Sequence, residues 1–288
     1  MGSIRIGISG WSYDDWRGSF YPDDLPHDRE LQYAAGKFDT VEINGTFYSL
    51  TTPESCRDWY REAPRGFVYA VKGSRFITHN KKLADVDAAL ANFFASGILE
   101  LREKLGPVLW QLPERSRFDA ERVDRFLGML PRDTDAARRL ARRHDDRVED
   151  AGYGGGANHR VRHVLEPRHE SFFQPEMTRI ARRHGAALAF SHSSEWPYIE
   201  EVTAGFVYVR LHGPKRVYDS AYGSESLENW AKRVSAWYAG GEPDDPVRIS
   251  DLQPPRRKKR DVYVYFDNTA GGRAPQEALV LRSLLEGA

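Results

Sequence analysis

The sequence has a single cysteine, no excess of either charge and no long apolar run. Cys56 is the sole cysteine of the 288 residues, so the chain can form neither an internal disulfide nor a cysteine-based metal cluster. Lysine plus arginine and aspartate plus glutamate number 42 each, which leaves no global charge to attract nucleic acid or an anionic membrane. No apolar run approaches the roughly 20 residues that span a bilayer, and the first residues do not resemble a signal peptide. We therefore expect a soluble, cytoplasmic protein without membrane contact.

Eight short runs of β-forming residues alternate with helical patterns along the chain. This alternation predicts a parallel sheet, and eight repeats predict that the sheet closes into a barrel. An open doubly wound sheet is the alternative, but the turn after the first run does not match the glycine-rich nucleotide fingerprint. We therefore predict a single α/β domain over residues 1–288, a (β/α)8 TIM-type barrel. The predicted strands are 4–10, 40–44, 67–73, 107–112, 160–166, 186–192, 206–212 and 261–268, and the predicted helices are 29–37, 53–61, 83–104, 120–130, 175–184, 227–238 and 275–285.

Two connections depart from this repeat. Residues 193–203, after the sixth strand, show no convincing helical pattern and predict a single turn at most. Residues 133–159, between the fourth and fifth strands, contain a charged, alanine-rich stretch with arginine pairs at helical spacing, followed by glycines at 152–156. We expect here an inserted surface helix on a flexible tether, which could act as a lid or as a partner surface.

Polar side chains enter the predicted strands near their carboxyl ends. In the seventh strand Tyr208, Arg210 and His212 alternate with valine and leucine. Because side chains along a strand point alternately to its two faces, the apolar set is predicted to face the helices and the polar set to face the barrel interior. Polar residues at or just after the ends of the other strands are Glu42, Asn44, Lys72, Gln111, Glu166, Arg168, His192, Asp267 and Asn268.

Charged side chains gathered at one end of a barrel predict a functional site, since barrel enzymes carry their active sites there. The alternative is a set of salt bridges that only neutralise one another. We predict an enzyme, a hydrolase or an isomerase, that acts on a phosphorylated or otherwise anionic small molecule. Glu166 is the predicted acid/base, with Glu42 as its partner or pKa tuner and His212 as a second proton-transfer group. The predicted anion-holding residues are Lys72, Arg168 and Arg210, and the other predicted ligand contacts are Asn44, Gln111, Asp267, Asn268, Trp11, Tyr48 and His79.

No cofactor and no metal ligand is predicted. A divalent metal bound by Glu42, Glu166 and two histidines is an open alternative, because these are suitable ligand types. The two histidines would be His192 and His212. The neighbouring lysine and arginines would repel such an ion, which favours the metal-free interpretation.

Two basic stretches, residues 138–143 and 256–260, leave nucleic-acid binding open as a second function, including an endonuclease-like activity. These stretches would contact phosphates while aromatic residues of the loops stack on bases. A third interpretation is a ligand sensor that has the barrel but performs no catalysis.

Two long motifs resemble the opening signatures of the YecE-like family, also called domain of unknown function 72. They are G-I-S-G-W-S-Y at 7–13 and V-E-I-N-G-T-F-Y at 41–48. Shorter segments follow in the family's order at 71–72, 77–79, 111–113, 166–169, 208–213 and 266–268. The resemblance implies a TIM-type barrel and brings no settled activity. Residues 133–159 are longer than the family's usual link between the fourth and fifth strands.

Overall fold

The computed structural model describes residues 2–287, and within them eight parallel strands form a closed barrel. Consecutive strands pair in chain order, and the eighth strand pairs with the first, which closes the sheet. This confirms the predicted TIM-type barrel. The strands are β1 (Ile4–Ser9), β2 (Thr40–Ile43), β3 (Val68–Lys72), β4 (Leu105–Gln111), β5 (Arg162–Glu166), β6 (Ala187–His192), β7 (Phe206–Leu211) and β8 (Asp261–Phe266).

The helices surround this barrel and begin and end at local sequence signals. Thr52 accepts a hydrogen bond from the Ser55 amide at the start of α3 (Pro53–Glu62). Gly185 ends α7 (Pro175–His184) in the left-handed conformation with φ 64°. None of the helices within residues 2–287 has the length and apolar character needed to cross a bilayer. The α-helices are α1 (Glu30–Lys37), α2 (Gly45–Tyr48), α3 (Pro53–Glu62), α4 (Asp87–Ala95), α5 (Ala120–Met129), α6 (Thr134–Ala141), α7 (Pro175–His184), α8 (Gly223–Tyr238) and α9 (Arg273–Glu286).

The predicted single helix over residues 83–104 is wrong, because the chain turns sharply at Gly97. There φ is 116°, and a Cβ atom at this position would lie 2.6 Å from the backbone of Pro53. Only glycine meets both conditions, so the segment divides into α4 and a 3-10 helix over Ile98–Lys104. Residues 193–203, by contrast, contain no helix, as predicted.

Residues 133–159 are fastened to the barrel, so the expected flexible tether is wrong. Helix α6 packs against α4, with Ala137 fully buried. The side chain of Asn92 donates to Asp145 Oδ1 at 2.9 Å and accepts from the Asp145 amide at 3.0 Å. The Gly152 amide donates to the Ala95 carbonyl at 2.7 Å. The segment therefore belongs to the outer helical layer and has fixed contacts that a lid would have to break.

The two faces of the strands differ as the alternation predicts. Outward-facing residues such as Val207, Val209 and Leu211 belong to the large core beneath the helices. Inward-facing apolar residues form a separate cluster inside the barrel: Ala70, Leu109, Val164, Ala187, Ala189, Phe206, Tyr208, Tyr263 and Tyr265. Above this cluster, toward the carboxyl ends of the strands, the interior becomes polar and charged. We call the charged cluster at this end the mouth; its residues are Glu42, Lys72, Glu166, Arg168, Arg210, His212 and Asp267.

Candidate functional site

The buried guanidinium of Arg210, on β7, lies at the centre of the mouth. Its Nε and Nη2 donate to the two oxygens of Glu42 at 3.0 and 2.7 Å. Nη1 donates to Glu166 Oε2 at 3.0 Å, and Nη2 also donates to Asp267 Oδ2 at 3.1 Å. Nη1 further contacts His212 Nε2 at 3.3 Å, so the five N–H groups of the guanidinium have five partners within the protein. This geometry makes Arg210 the organiser of the cluster and does not favour its predicted role in holding a ligand anion.

Glu42, on β2, is fully buried and has donors on both oxygens. Besides Arg210, Ser9 Oγ donates to its Oε1 at 2.9 Å and the Tyr208 hydroxyl donates to its Oε2 at 2.6 Å. Burial, and next the charge of Glu42, raise the pKa of Tyr208 well above its ordinary value, so this hydroxyl stays a donor. Glu42 is therefore held in one orientation by side chains from two strands, β1 and β7.

Glu166, at the end of β5, is equally buried and equally held. Its Oε1 accepts from Ser191 Oγ at 2.7 Å and from Arg168 Nη2 at 3.1 Å, while Oε2 accepts from Arg210. Burial would raise the pKa of Glu166, but Arg210 and Arg168 outweigh burial and hold the pKa well below its ordinary value. At neutral pH Glu166 is thus a fixed carboxylate, which makes it a poor proton donor.

His212 follows β7 and is enclosed between two carboxylates. Its Nδ1 lies 2.8 Å from Asp267 Oδ2, and its Nε2 lies 3.4 Å from Glu166 Oε1. The rings of Trp196 and His212 pack edge to face, with their centres 5.0 Å apart. His212 is fully buried. Burial would raise the pKa of Asp267, but Arg210 and His212 lower it to about 2. The structure thus joins β5, β7 and the loop after β8 in one ionic network.

Lys72, at the end of β3, differs from the other cations of the mouth. Its Nζ lies 4.4 Å from the centre of the Phe47 ring. Within residues 2–287, no carboxylate oxygen lies within 4.0 Å of Nζ, and Nζ makes no hydrogen bond. Burial, followed by the positive charge of Arg210, lowers the pKa of Lys72 to about 8, although Glu166, Glu42 and Asp267 act in the opposite direction. Roughly a tenth of Lys72 is therefore a neutral amine at pH 7.

Comparison with known proteins places this barrel in a family. Residues 5–288 match the family described as "Protein of unknown function DUF72". The chain belongs to this family. The UPF0759 protein YunF of Bacillus subtilis (strain 168) is 23% identical, with 98% of this chain and 95% of that protein covered.

Solved structures of DUF72 proteins share the fold. A DUF72 family protein of Thermotoga maritima MSB8 superimposes with a TM-score of 0.71 at 24% identity, covering 98% of this chain and 99% of that chain. One from Enterococcus faecalis V583 gives a TM-score of 0.68 at 17% identity, covering 99% of this chain and 96% of that chain. These similarities show the barrel, and they leave the chemistry of the DUF72 mouth to be argued from its own residues.

Arg168 lies at the rim of the mouth in this DUF72 chain. Its Nε and Nη2 both donate to Glu166 Oε1, at 3.3 and 3.1 Å. Its guanidinium carbon lies 3.8 Å from the centre of a Trp196 ring, a cation–π contact. Tyr218 is part of the same rim, with a left-handed φ of 64° that its backbone bonds to His212 and Ala270 maintain. Trp196 was not predicted as a site residue, because its place at the rim depends on a contact with Arg168 that the sequence does not reveal.

The predicted loop contacts occupy different positions around the mouth. His79 accepts or donates at Nδ1 with Thr78 Oγ1 at 2.9 Å, and its ring lies 5.0 Å from that of Phe47, the ring that also faces Lys72. Burial, and then Lys72, lower the pKa of His79 to about 4, so this imidazole is neutral. Trp11 packs edge-on against Trp59 at 5.7 Å, which is a packing contact. Tyr48 is 69% exposed and is free to contact a ligand.

The three predicted amide side chains, Asn44, Gln111 and Asn268, also differ in where they lie. Asn44 Oδ1 is buried and has no hydrogen-bond partner within residues 2–287. Gln111 is buried at the end of β4, where its Nε2 donates to the Leu112 carbonyl at 3.3 Å. The side chain of Asn268 points away from that of Asp267. Its Nδ2 donates to Glu277 Oε2, on α9, at 2.7 Å. Asn268 therefore anchors α9 and does not join the mouth.

The four-residue metal set considered from sequence is not assembled. His192 points away from the barrel interior, and its Nδ1 lies 3.0 Å from the Tyr222 hydroxyl. Among residues 2–287, no group of three or more His, Cys, Asp or Glu side chains is placed to hold a metal ion. That the protein uses no cofactor stays a prediction.

The two basic stretches are partly used inside the protein. The guanidinium of Arg260 donates to four backbone carbonyls, and Arg138 pairs with Asp135 at 2.6 Å. Residues 256–260 precede β8 and so lie at the amino end of the barrel. Trp11 and Tyr48 follow β1 and β2 and lie at the carboxyl end. Residues 256–260 and the base-stacking aromatic residues of the nucleic-acid hypothesis are therefore at opposite ends of the barrel.

Proposed function

We propose that this DUF72 protein is an enzyme that binds a small phosphorylated or otherwise anionic molecule at the mouth and transfers a proton on it. The observation that carries the proposal is the unpaired ammonium of Lys72. Arg210 and Arg168 are engaged with carboxylates, whereas Lys72 has no ion-pair partner within residues 2–287. Lys72 is half-buried, and a partly desolvated cation without an ion-pair partner gains from an anionic ligand.

Arg168 is the second group proposed to hold the anion. Two of its nitrogens, Nε and Nη2, donate to Glu166 Oε1, and Nη1 makes no hydrogen bond within residues 2–287, although the Tyr218 side chain lies next to the same guanidinium. Stacking on Trp196 fixes the plane of the guanidinium. A planar, fixed guanidinium edge suits the oxygens of a carboxylate or a phosphate.

Lys72 is also the proposed proton-transfer group. A general base works best when its pKa lies near the working pH, and the pKa of Lys72 is about 8. Glu166, the acid/base predicted from sequence, then supplies fixed negative charge, because Arg210 and Arg168 keep its pKa low. Neither a cofactor nor a metal ion is part of this proposal.

Calorimetric titration with inorganic phosphate tests the binding step. We expect Lys72→Met to weaken phosphate binding at least about tenfold, in line with the loss of one charge-assisted contact. The matched control is Lys81→Met, which removes an exposed lysine from the loop after the same strand. Equal affinity in both variants, or no binding by the unchanged protein, would overturn the proposal.

The two alternatives have their own tests. A ligand sensor would bind phosphate but would not exchange carbon-bound protons of small phosphorylated carbonyl compounds with solvent deuterium, which proton NMR follows. A nucleic-acid-binding protein would show retention on DNA or RNA that weakens steeply as salt rises. The separation of residues 256–260 from the loop aromatics supports the small-molecule proposal over this one.

A further inference from the structure

We propose that Lys72 forms an imine with a small carbonyl compound that carries an anionic group, such as an oxo acid. This inference rests on the proposed function, because the anionic group of the compound would be held at the mouth. It names the substrate class and gives Lys72 a covalent role.

The position of Lys72 favours a nucleophilic amine over a structural one. Its Nζ lies against the face of Phe47 and has no hydrogen-bond partner within residues 2–287. Lys104, the other lysine with a lowered pKa, has its Nζ bound to the carbonyls of Tyr60 and Ala63, both at 2.6 Å. A lysine that is desolvated next to another cation and keeps a free Nζ is the arrangement that activates amines for imine formation. Within the described chain, Lys72 meets these conditions and Lys104 does not.

The step balances without a redox partner. The lone pair of the neutral amine forms a C–N bond to the carbonyl carbon, and a proton passes from the nitrogen to the carbonyl oxygen to give a neutral carbinolamine. Loss of that hydroxyl group, with one proton taken from solvent, releases water and leaves a protonated imine. One amine, one carbonyl and one proton thus yield one iminium cation and one water.

The charges around Lys72 suit the product of this step. Glu166, Glu42 and Asp267 all act on the positive charge at Nζ, and Arg210 keeps these three carboxylates in place. A protonated imine carries its positive charge at the same nitrogen, so fixed carboxylates favour it over the neutral imine.

The anion of the compound has a receptor close by. Lys72 Nζ and the His79 ring both lie against Phe47, and Arg168 follows the end of β5 at the same end of the barrel; both cations lower the pKa of His79. The free Nη1 edge of Arg168 would hold the carboxylate while Nζ of Lys72 attacks the carbonyl carbon.

Reductive trapping tests the inference on the full chain. The protein is incubated with glyoxylate and sodium cyanoborohydride at pH 7, and the modified lysines are mapped by peptide mass spectrometry. We expect Lys72 to be modified on the order of tenfold faster than any other lysine, because its neutral fraction is larger. Lys104 is the internal control, since it is desolvated but engaged. Acetaldehyde, which lacks the anionic group, should modify Lys72 more slowly than glyoxylate does.

Two variants separate this inference from the proposed function. Lys72→Arg keeps the positive charge but has no imine-forming amine, so it should lose the fast adduct and retain phosphate binding. Lys81→Arg should behave like the unchanged protein. Labelling spread evenly over the exposed lysines, with phosphate binding intact, would overturn the imine alone. A fast adduct on Lys72 without any phosphate binding would overturn the proposed function instead.

Discussion

At the scale of single residues, the mouth depends on one arginine. Arg210 makes ion pairs with Glu42, Glu166 and Asp267, and all of its N–H groups have partners. Buried ions are costly to remove from water, so each of these carboxylates is tolerated only because the guanidinium compensates its charge. The same arrangement leaves Lys72 and the Nη1 group of Arg168 as the cationic groups proposed to meet a ligand.

Arg210→Met should destabilise the protein by about 3–5 kcal/mol, since three buried carboxylates would lose their common partner. Urea denaturation followed by circular dichroism measures the change. The control is Arg125→Met, which removes an exposed pair with Glu121 and should cost less than about 1 kcal/mol. A loss of similar size in the two variants would contradict the central role of Arg210.

Lys72→Met should stabilise the protein at pH 7, by about 1–3 kcal/mol. The pKa of Lys72 is lowered to about 8 in the folded protein. The proton on Lys72 is therefore bound more weakly in the folded than in the unfolded protein, which lowers the free energy of unfolding wherever Lys72 is protonated. This penalty is complete below pH 8 and disappears as the pH rises toward the unfolded value of about 10.4. Denaturation curves of both proteins should therefore converge between pH 8 and 10. A constant difference across this range would show that Lys72 has an ordinary pKa.

At acid pH, ionisation of Asp267 stabilises the folded protein, the opposite of the effect of protonated Lys72. Arg210 and His212 lower the pKa of Asp267 to about 2, below the unfolded value of about 3.9. The resulting stabilisation is present above pH 4 and is lost as the pH falls toward 2. Denaturation curves should show Asp267→Asn reducing stability at pH 7 and approaching the unchanged protein near pH 2. If the two proteins differ equally at both pH values, the loss does not come from this carboxylate's charge.

At the scale of elements, strand positions could be predicted from sequence, because alternation and burial are local properties. One helix boundary could not be predicted in this way. The apolar pattern continues across Gly97, and the break there depends on the approach of Pro53, which is distant in the chain. The fixed contacts of residues 133–159 could not be predicted either, because they depend on hydrogen bonds between Asn92 and Asp145, which are distant in the chain.

Gly97→Ala should destabilise the protein by at least about 1–2 kcal/mol, because the new Cβ meets the Pro53 backbone at a φ of 116°. Gly155→Ala is the control, since a Cβ there meets no atom within 4 Å. Thermal unfolding compares the two variants. Equal melting temperatures would mean that the break at Gly97 does not require glycine.

At the scale of the whole molecule, the barrel brings together residues far apart in sequence. Alternation along each strand could predict that Glu42, Glu166 and Arg210 face inward. It could not predict that Arg210 would be saturated or Lys72 unpaired, because those contacts depend on register and reach across the closed sheet. The family, likewise, gives the barrel and leaves the chemistry open.

The central claim is that Lys72 is an unpaired amine that receives the ligand's anion, and NMR titration of the protein with its lysine ε-carbons labelled measures this most directly. We predict that Lys72 titrates with a pKa about 8 and that saturating inorganic phosphate raises this value, since an anion favours the ammonium form. The ε-carbon signal of the exposed Lys81 should not respond to phosphate. A pKa for Lys72 close to the ordinary value of about 10.4, or one that phosphate leaves unchanged, would contradict the account.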